Sequence, residues 1–273
     1  MQFQVIYPSP PLAPYIRHYW ILESDKHDGI IKERVVPTGN IELMFHFRKP
    51  FLSISPSGKS ESQALSMISG ISHSWFDVST GGESGALAVT FYPGAAAYFF
   101  NLPMMELEGK SLHLGDVDIS DVGFIEEQMA EAASTAERVR IVENFLVKRL
   151  QSLSVNDFRL VKHGVQLIKN HRGQIRASEL SEKLCVTPRT LERKFAFYVG
   201  NTPKKFIKIV RFHEVMTNLT SVKMGKLTQH ALENGYFDQA HFIKDFKTYS
   251  GYTPKELLSN NFCPDLSQDI GQT

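Results

Sequence analysis

The sequence predicts an α+β protein of two domains: a mainly antiparallel, barrel-like β domain with trailing helices, then an all-α domain of about seven helices holding two helix-turn-helix units. Three features carry that expectation. Short segments rich in Ile, Val and aromatic residues, broken by Pro, Gly, Ser and Asp, fill the region before residue 93. Helical periodicity takes over after residue 120. Within the helical part, residues 180–257 say nearly the same thing twice with an offset of 51 residues. The expected division is a first domain at 1–155, a second at 156–260 and a polar tail at 261–273.

Taken in order, segments 15–23, 30–36, 41–47 and 86–92 read as strands of a sheet or small barrel. Segment 94–101 reads as one or two helical turns, and 121–132 and 136–150 as amphipathic helices. In the last of these Val139, Val142, Phe145, Leu146 and Leu150 fall at helical steps, which suits packing onto the chain's own sheet or a dimer seam. Tyr19, Trp20, Phe45, Phe47, Trp75, Phe91 and Tyr92 are the aromatic residues available for core or for the walls of a ligand pocket.

The repeat pairs Leu180 with Ala231, Val186 with Phe237, Thr187 with Asp238, Leu191 with Phe242 and Phe195 with Phe246. It runs on through Gly200 and Gly251, Thr202 and Thr253, Pro203 and Pro254. Each copy reads as helix, short turn, helix. Thr187 and Asp238 are side-chain caps, and Pro188 opens the helix of the first copy. Leu191 with Phe195, and Phe242 with Phe246, give each second helix an inward stripe. The opposite face carries Arg189, Glu192 and Arg193 in one copy, and Gln239, His241 and Lys244 in the other.

Arg, Lys and Gln near the start of an exposed helix are side chains that hydrogen-bond to base edges in a major groove. A single such helix reads equally as a solvated face; the duplication favours DNA. The joining segment is capped by Thr202, opened by Pro203 and lined by Phe206, Val210, Val215 and Leu219. It makes a strut of ~25 Å, suited to holding two reading helices about one DNA turn (~34 Å) apart. Lys204, Lys205, Lys208 and Arg211 on the strut suit phosphates or plain solvation.

Residues 158–258 closely resemble the DNA-binding domain of AraC/XylS-type transcriptional regulators. The first unit matches at Leu180, Val186, Thr187, Pro188, Arg189, Leu191, Arg193, Phe195, Gly200 and Pro203. The second matches at Ala231, Gly235, Tyr236, Asp238, Phe242, Phe246, Lys247, Gly251, Thr253 and Pro254. Cys185 stands where the family often has Gly, and Leu258 where Arg is common. The resemblance implies double-stranded DNA as partner, with RNA polymerase, a small-molecule effector and a homodimer as further possibilities. It favours Arg211 among the strut cations. Base readers are expected at Arg189, Arg193, Gln239, His241 and Lys244, beside Glu192, while Thr187 and Asp238 organise amides that also meet phosphates. The order of Tyr19-Trp20, Val36-Pro37-Thr38-Gly39 and Phe91-Tyr92-Pro93-Gly94 resembles the N-terminal region of a poorly described branch of these regulators, which implies a sensing or dimerising domain.

Composition sets the outer bounds. With 42% hydrophobic and 22% charged residues the chain reads as globular rather than disordered. The net charge of +1 conceals a division. Residues 156–260 hold 18 Lys and Arg against 9 Asp and Glu, and residues 1–155 hold 12 against 18. That is the charge pattern of a nucleic-acid-binding domain joined to something else. No apolar run suits a membrane span or signal peptide, so the cytoplasm is expected. Two cysteines, Cys185 and Cys263, fit a reducing compartment, and no cofactor or metal is expected. His18, His46, His73 and His113 lack the short-spaced cluster of a cupin-type metal site, and no Gly-x-Ser-x-Gly elbow occurs, so catalysis is not expected. The alternative is a cupin-type enzyme domain fused to a DNA-targeting one.

Overall fold

A computed structural model describes residues 1–117, 121–219 and 227–259. The expectations for the Leu219 side chain, for Cys263 and for the tail at 261–273 lie outside the described residues.

The N-terminal region forms ten strands: β1 Gln2–Ile6, β2 Ile16–Glu23, β3 Ile31–Val35, β4 Glu42–His46, β5 Leu52–Ile54, β6 Ser60–Ser62, β7 Ser66–Ser69, β8 Phe76–Thr80, β9 Gly85–Phe91 and β10 Ser111–His113. They make two antiparallel sheets, one of six strands in the order β1-β2-β9-β4-β7-β10 and one of four in the order β3-β8-β5-β6. The four expected strands are β2, β3, β4 and β9. The mainly antiparallel β domain expected is present, built as two sheets that do not close into a barrel. Among the described residues, the isolated parallel bridge Lys49–Ser84 is what falls outside the named strands. At the outer edges, β1 is exposed along most of its length and β6 is three exposed polar residues.

The large sheet has two different faces, set by the alternation of side chains along each strand. Tyr19 of β2, Val89 of β9 and Leu43 of β4 lie side by side across the sheet and are fully buried on one face. That face is covered by α1 Val122–Glu131 and α2 Thr135–Arg149. Val142 and Leu146 of α2 are fully buried and Phe145 meets Phe45 edge-on, so α2 spends its apolar stripe on its own sheet. Trp20, Ala88 and Met44, one residue along the same three strands, form the next row, on the face turned to the small sheet.

The helical region follows as α3 Val155–Asn170, α4 Ala177–Lys183, α5 Pro188–Tyr198, α6 Pro203–Leu219, α7 Leu227–Glu233, α8 Gln239–Ser250 and α9 Pro254–Ser259. Among the described residues this gives the seven helices expected. The main core runs from beneath the large sheet, through Phe99, Phe100, Met104 and Leu107, into α3, α4 and α5. Tyr15, Tyr98 and Phe158 stack where the two regions meet. A second core holds Phe212, Val215 and Met216 of α6 with Ala231, Tyr236, Phe242, Phe246 and Leu257, and takes only Val36 from the N-terminal region.

Candidate nucleic-acid interface

Each helix-turn-helix unit is built from local signals. Thr187 Oγ1 accepts from the Thr190 amide at 3.2 Å to cap α5, with Pro188 in the first turn. Asp238 Oδ1 accepts from the His241 amide at 2.7 Å to cap α8. Gly200 and Gly251 both sit at φ 79° after α5 and α8, the left-handed exit that a Cβ disfavours. Thr253 and Glu256 then form a reciprocal capping box at the start of α9.

The first helices reveal a register correction. The Val186 amide donates to Ser181 O, and the Tyr236 amide donates to Ala231 O, closing equivalent helix ends. Ala231 therefore corresponds to Ser181 rather than Leu180, and the offset is 50 before the turn and 51 after it. The second turn is one residue longer. The additional residue leaves Phe237, which was paired with Val186, 87% exposed immediately before the α8 cap.

The turn of the first unit needs a left-handed residue, as Gly235 supplies in the second, and Cys185 takes it at φ 53°. Replacing the exposed Cys185 with Gly is expected to raise unfolding stability by about 1 kcal/mol, the relief of left-handed strain less the entropy that Gly adds to the unfolded chain. Thermal melting checks the sign.

The strut α6 serves both units. Phe206 meets Phe195 at 6.2 Å between ring centres, and Phe212 meets Phe246 at 5.5 Å. Leu191, Phe195, Phe242 and Phe246 are buried, as their spacing required. The opposite faces emerge into solvent. Arg189, Glu192 and Arg193 are exposed on α5, as are Gln239 and Lys244 on α8. Arg189, Arg193 and Lys244 make no ion pair with any described residue.

Two expected contacts are partly spent within the fold. Arg211 Nε donates to Gly173 O at 2.8 Å, and its guanidinium lies 5.5 Å from the Tyr236 ring centre, tying α6 to both units. A Cβ at Gly173 would stand 2.5 Å from the Arg211 amide nitrogen, so the loop touches the strut backbone directly. His241 is half-buried with Nε2 3.3 Å from Asp245, which also pairs with Lys208 at 3.1 Å. Lys205 pairs with Glu108 at 3.0 Å and Lys194 with Asp157. Lys204 remains exposed on the strut.

The second unit is also clamped to the small sheet, through Arg34, Asp77 and Tyr252, for which the sequence offers no signal, and through Trp75, expected instead in core or pocket wall. Arg34 of β3 donates to both carboxylate oxygens of Asp77 at 2.8 and 3.2 Å and to Ser250 O at 3.3 Å. Its guanidinium lies 3.6 Å from the Trp75 ring centre and 4.4 Å from that of Tyr252. Arg34 and Lys32 hold the Asp77 carboxyl below the usual carboxylate range, against the burial that would raise it. His213 Nε2 of α6 donates to Pro37 O. Replacing Arg34 with Ala is expected to weaken this docking by about 2 kcal/mol, the scale of a buried charged hydrogen bond with stacking. Hydrogen exchange should then quicken in α8 and α9 while α3 to α5 keep their protection.

Behind the clamp, between the two sheets, lies a cavity of about 680 Å³. Its walls alternate with the strands: His18, Trp20 and Leu22 of β2, Glu42 and Met44 of β4, and Phe76, Val78 and Thr80 of β8. Of the aromatic residues expected to line a pocket only Trp20 does so. Tyr19, Phe45 and Phe91 are fully buried in the main core, Phe47 lies under Arg138, and Trp75 is in the clamp. His18 and His113 reach the cavity, His46 Nδ1 is bonded to Ala64 O, and His113 Nε2 lies 3.0 Å from Glu126. Among the described residues no three His, Cys, Asp or Glu side chains gather as metal ligands, and no helix is long and apolar enough to cross a membrane.

Comparison with known proteins agrees with this geometry. Residues 180–260 match the model of a helix-turn-helix domain, and residues 4–113 match a domain of unknown function. The XylDLEGF operon transcriptional activators 1 and 3 of Pseudomonas putida are 27% identical over 97 residues, 34% of this chain and 29% of each relative. The C-terminal segment is an AraC/XylS-type helix-turn-helix domain. The chain matches under a third of the length of those relatives, so the shared part is the AraC/XylS-type domain alone. Among crystal structures, ToxT from Vibrio cholerae aligns over 95% of this chain and 98% of its own, with a TM-score of 0.44 and 12% identity. The C-terminal domain of AraT from Geobacillus stearothermophilus aligns over 37% of this chain and 84% of its own, with a TM-score of 0.35 and 23% identity.

Proposed function

We propose that this chain is a sequence-specific DNA-binding transcription regulator working in the cytoplasm, with residues 156–260 reading DNA and residues 1–155 receiving a small-molecule effector. The observation that carries the DNA part is the pair of capped helices α5 and α8, each turning outward, from a buried apolar stripe, cations that pair with no described residue. Arg189, Arg193, Gln239 and Lys244 face base edges, Phe237 and Lys204 lie against the backbone, and Thr187 and Asp238 hold amides near phosphates. His241 joins the readers by exchanging its Asp245 contact for a base. Arg211 acts chiefly by bracing the two units.

The cavity supports the effector part, since its volume lies within the usual range for small-molecule sites. Its wall is continuous with the clamp. Val35, Val36 and Pro37 all line the cavity, and Val36 is at the same time buried in the core of the second unit. An effector that moves this wall biases the position of α8, and dimerisation or contact with RNA polymerase would then report that position. A cupin-type enzyme finds no support among the described residues.

Binding is tested with the full chain and labelled duplexes. Replacing Lys244 with Ala should weaken the preferred site by about 1–3 kcal/mol and random DNA much less. Equal loss on both makes Lys244 a phosphate contact. Affinity should fall steeply with salt, and a flat dependence would remove the electrostatic basis of the reading.

A further inference from the structure

The cavity contains a carboxylate with no counter-ion among the described residues. Glu42 opens β4 on the cavity wall, and its Oε1 accepts from Thr90 Oγ1 at 2.9 Å and Trp20 Nε1 at 3.3 Å. No described Lys, Arg or His pairs with it, and neither hydrogen bond uses Oε2. Burial pushes its pKa above the usual carboxylate range, against the two hydrogen bonds. A half-buried acid with no described cation beside it is unfavourable to the fold, and a glutamine would accept the same two hydrogen bonds without carrying a charge. The acid is therefore explained by something that enters.

The surroundings indicate what enters. Trp20, Phe51 and Phe76 with Met44 and Met67 give the cavity aromatic and thioether walls, suited to a hydrocarbon body and, at ring faces, to a cation. The buried Asn40 Nδ2 and Thr80 Oγ1, both on lining residues, have no hydrogen-bond partner among the described residues, which suits an occupant with a second polar group. The lining carries Glu33 and Glu61 besides Glu42, and Lys110 as its lysine. His18 is kept neutral by burial, with its pKa lowered to about 4.

We infer that the cavity binds an organic cation, an amine on an apolar body bearing a second polar group, with Glu42 as its counter-ion. This rests on the reading of the cavity as an effector site and names the class of effector. An anionic effector would face Glu42 across apolar walls.

The test uses three indole probes that differ in one group, namely tryptamine, tryptophol and indole-3-acetate, titrated calorimetrically into the full chain and into Glu42→Gln. Tryptamine should bind roughly ten-fold or more tighter than the other two, since they leave the half-buried carboxyl unpaired. Glu42→Gln should lose roughly 30-fold or more of the tryptamine affinity while melting no lower than the parent. Preference for tryptophol or indole-3-acetate, or undiminished tryptamine binding by Glu42→Gln, overturns the amine class and leaves the effector cavity standing. No binding of any probe overturns both.

Discussion

Joint replacement of Arg193 and Lys244 with alanine is expected to lower affinity for the preferred duplex by about 2–6 kcal/mol, twice the range for one base-reading side chain. The two residues occupy the same place on α5 and α8, one residue after Glu192 and Ile243 and two before the buried Phe195 and Phe246. Neither is engaged by a described partner, so neither replacement disturbs a salt bridge within the fold. They belong to different units, which meet the strut through Phe206 and Phe212 respectively, and effects at separated sites add. Fluorescence anisotropy should show the double variant losing the sum of the single losses, with specificity relaxed at two positions of the site. Two single variants that each abolish binding completely would mean that one unit cannot dock without the other.

Replacing Phe246 with Ala should cost about 3–5 kcal/mol, the usual penalty for emptying a phenylalanine site in a core. The location of that loss is more informative than its size. Phe246 packs on Phe212 and Phe242 in the smaller core, which has its own set of side chains. The second unit should therefore melt in a separate, earlier transition while the first unit and the sheets persist. Phe195 lies in the core shared with the large sheet, and its loss should destabilise the molecule as a whole. Calorimetry of the two variants distinguishes these outcomes, and a single common transition for Phe246→Ala would show the two cores to be coupled.

How much was readable from the residues follows from how local their signals are. Caps, helix exits and inward stripes are decided within a few positions, so Thr187, Asp238, Gly200, Gly251, Phe195 and Phe246 were all legible. The one slip there, pairing Leu180 with Ala231, came from assuming equal turns, and the exposed Phe237 is its visible consequence. Strands β5, β6, β7 and β10 were not legible. They are three or four residues long and rich in Ser, and their extended state is imposed by neighbouring strands rather than by their own preference.

The cavity was illegible for a different reason. Which of Tyr19 and Trp20 faces it depends on which face of the sheet the helices cover, and alternation alone does not choose. Asn40 and Glu42 stand together at the start of β4, but Thr80 comes from β8 in the other sheet, and only the stacking of two sheets brings it to them. The clamp is likewise non-local, since Arg34, Trp75, Asp77 and Tyr252 have no shared motif. Partial engagement of Arg211 and His241 within the fold also depends on Gly173, Tyr236 and Asp245 arriving from elsewhere.

The central claim is that two reading helices on one strut recognise DNA together. Selection of binding sites by the full chain from a library of random duplexes tests it most directly. Recovered sites should share two short blocks about 10 bp apart, centre to centre, one for each unit. The Arg193→Ala variant should lose selectivity in one block and Lys244→Ala in the other. A pool with no enrichment, or enriched for a single block insensitive to both variants, would contradict the account.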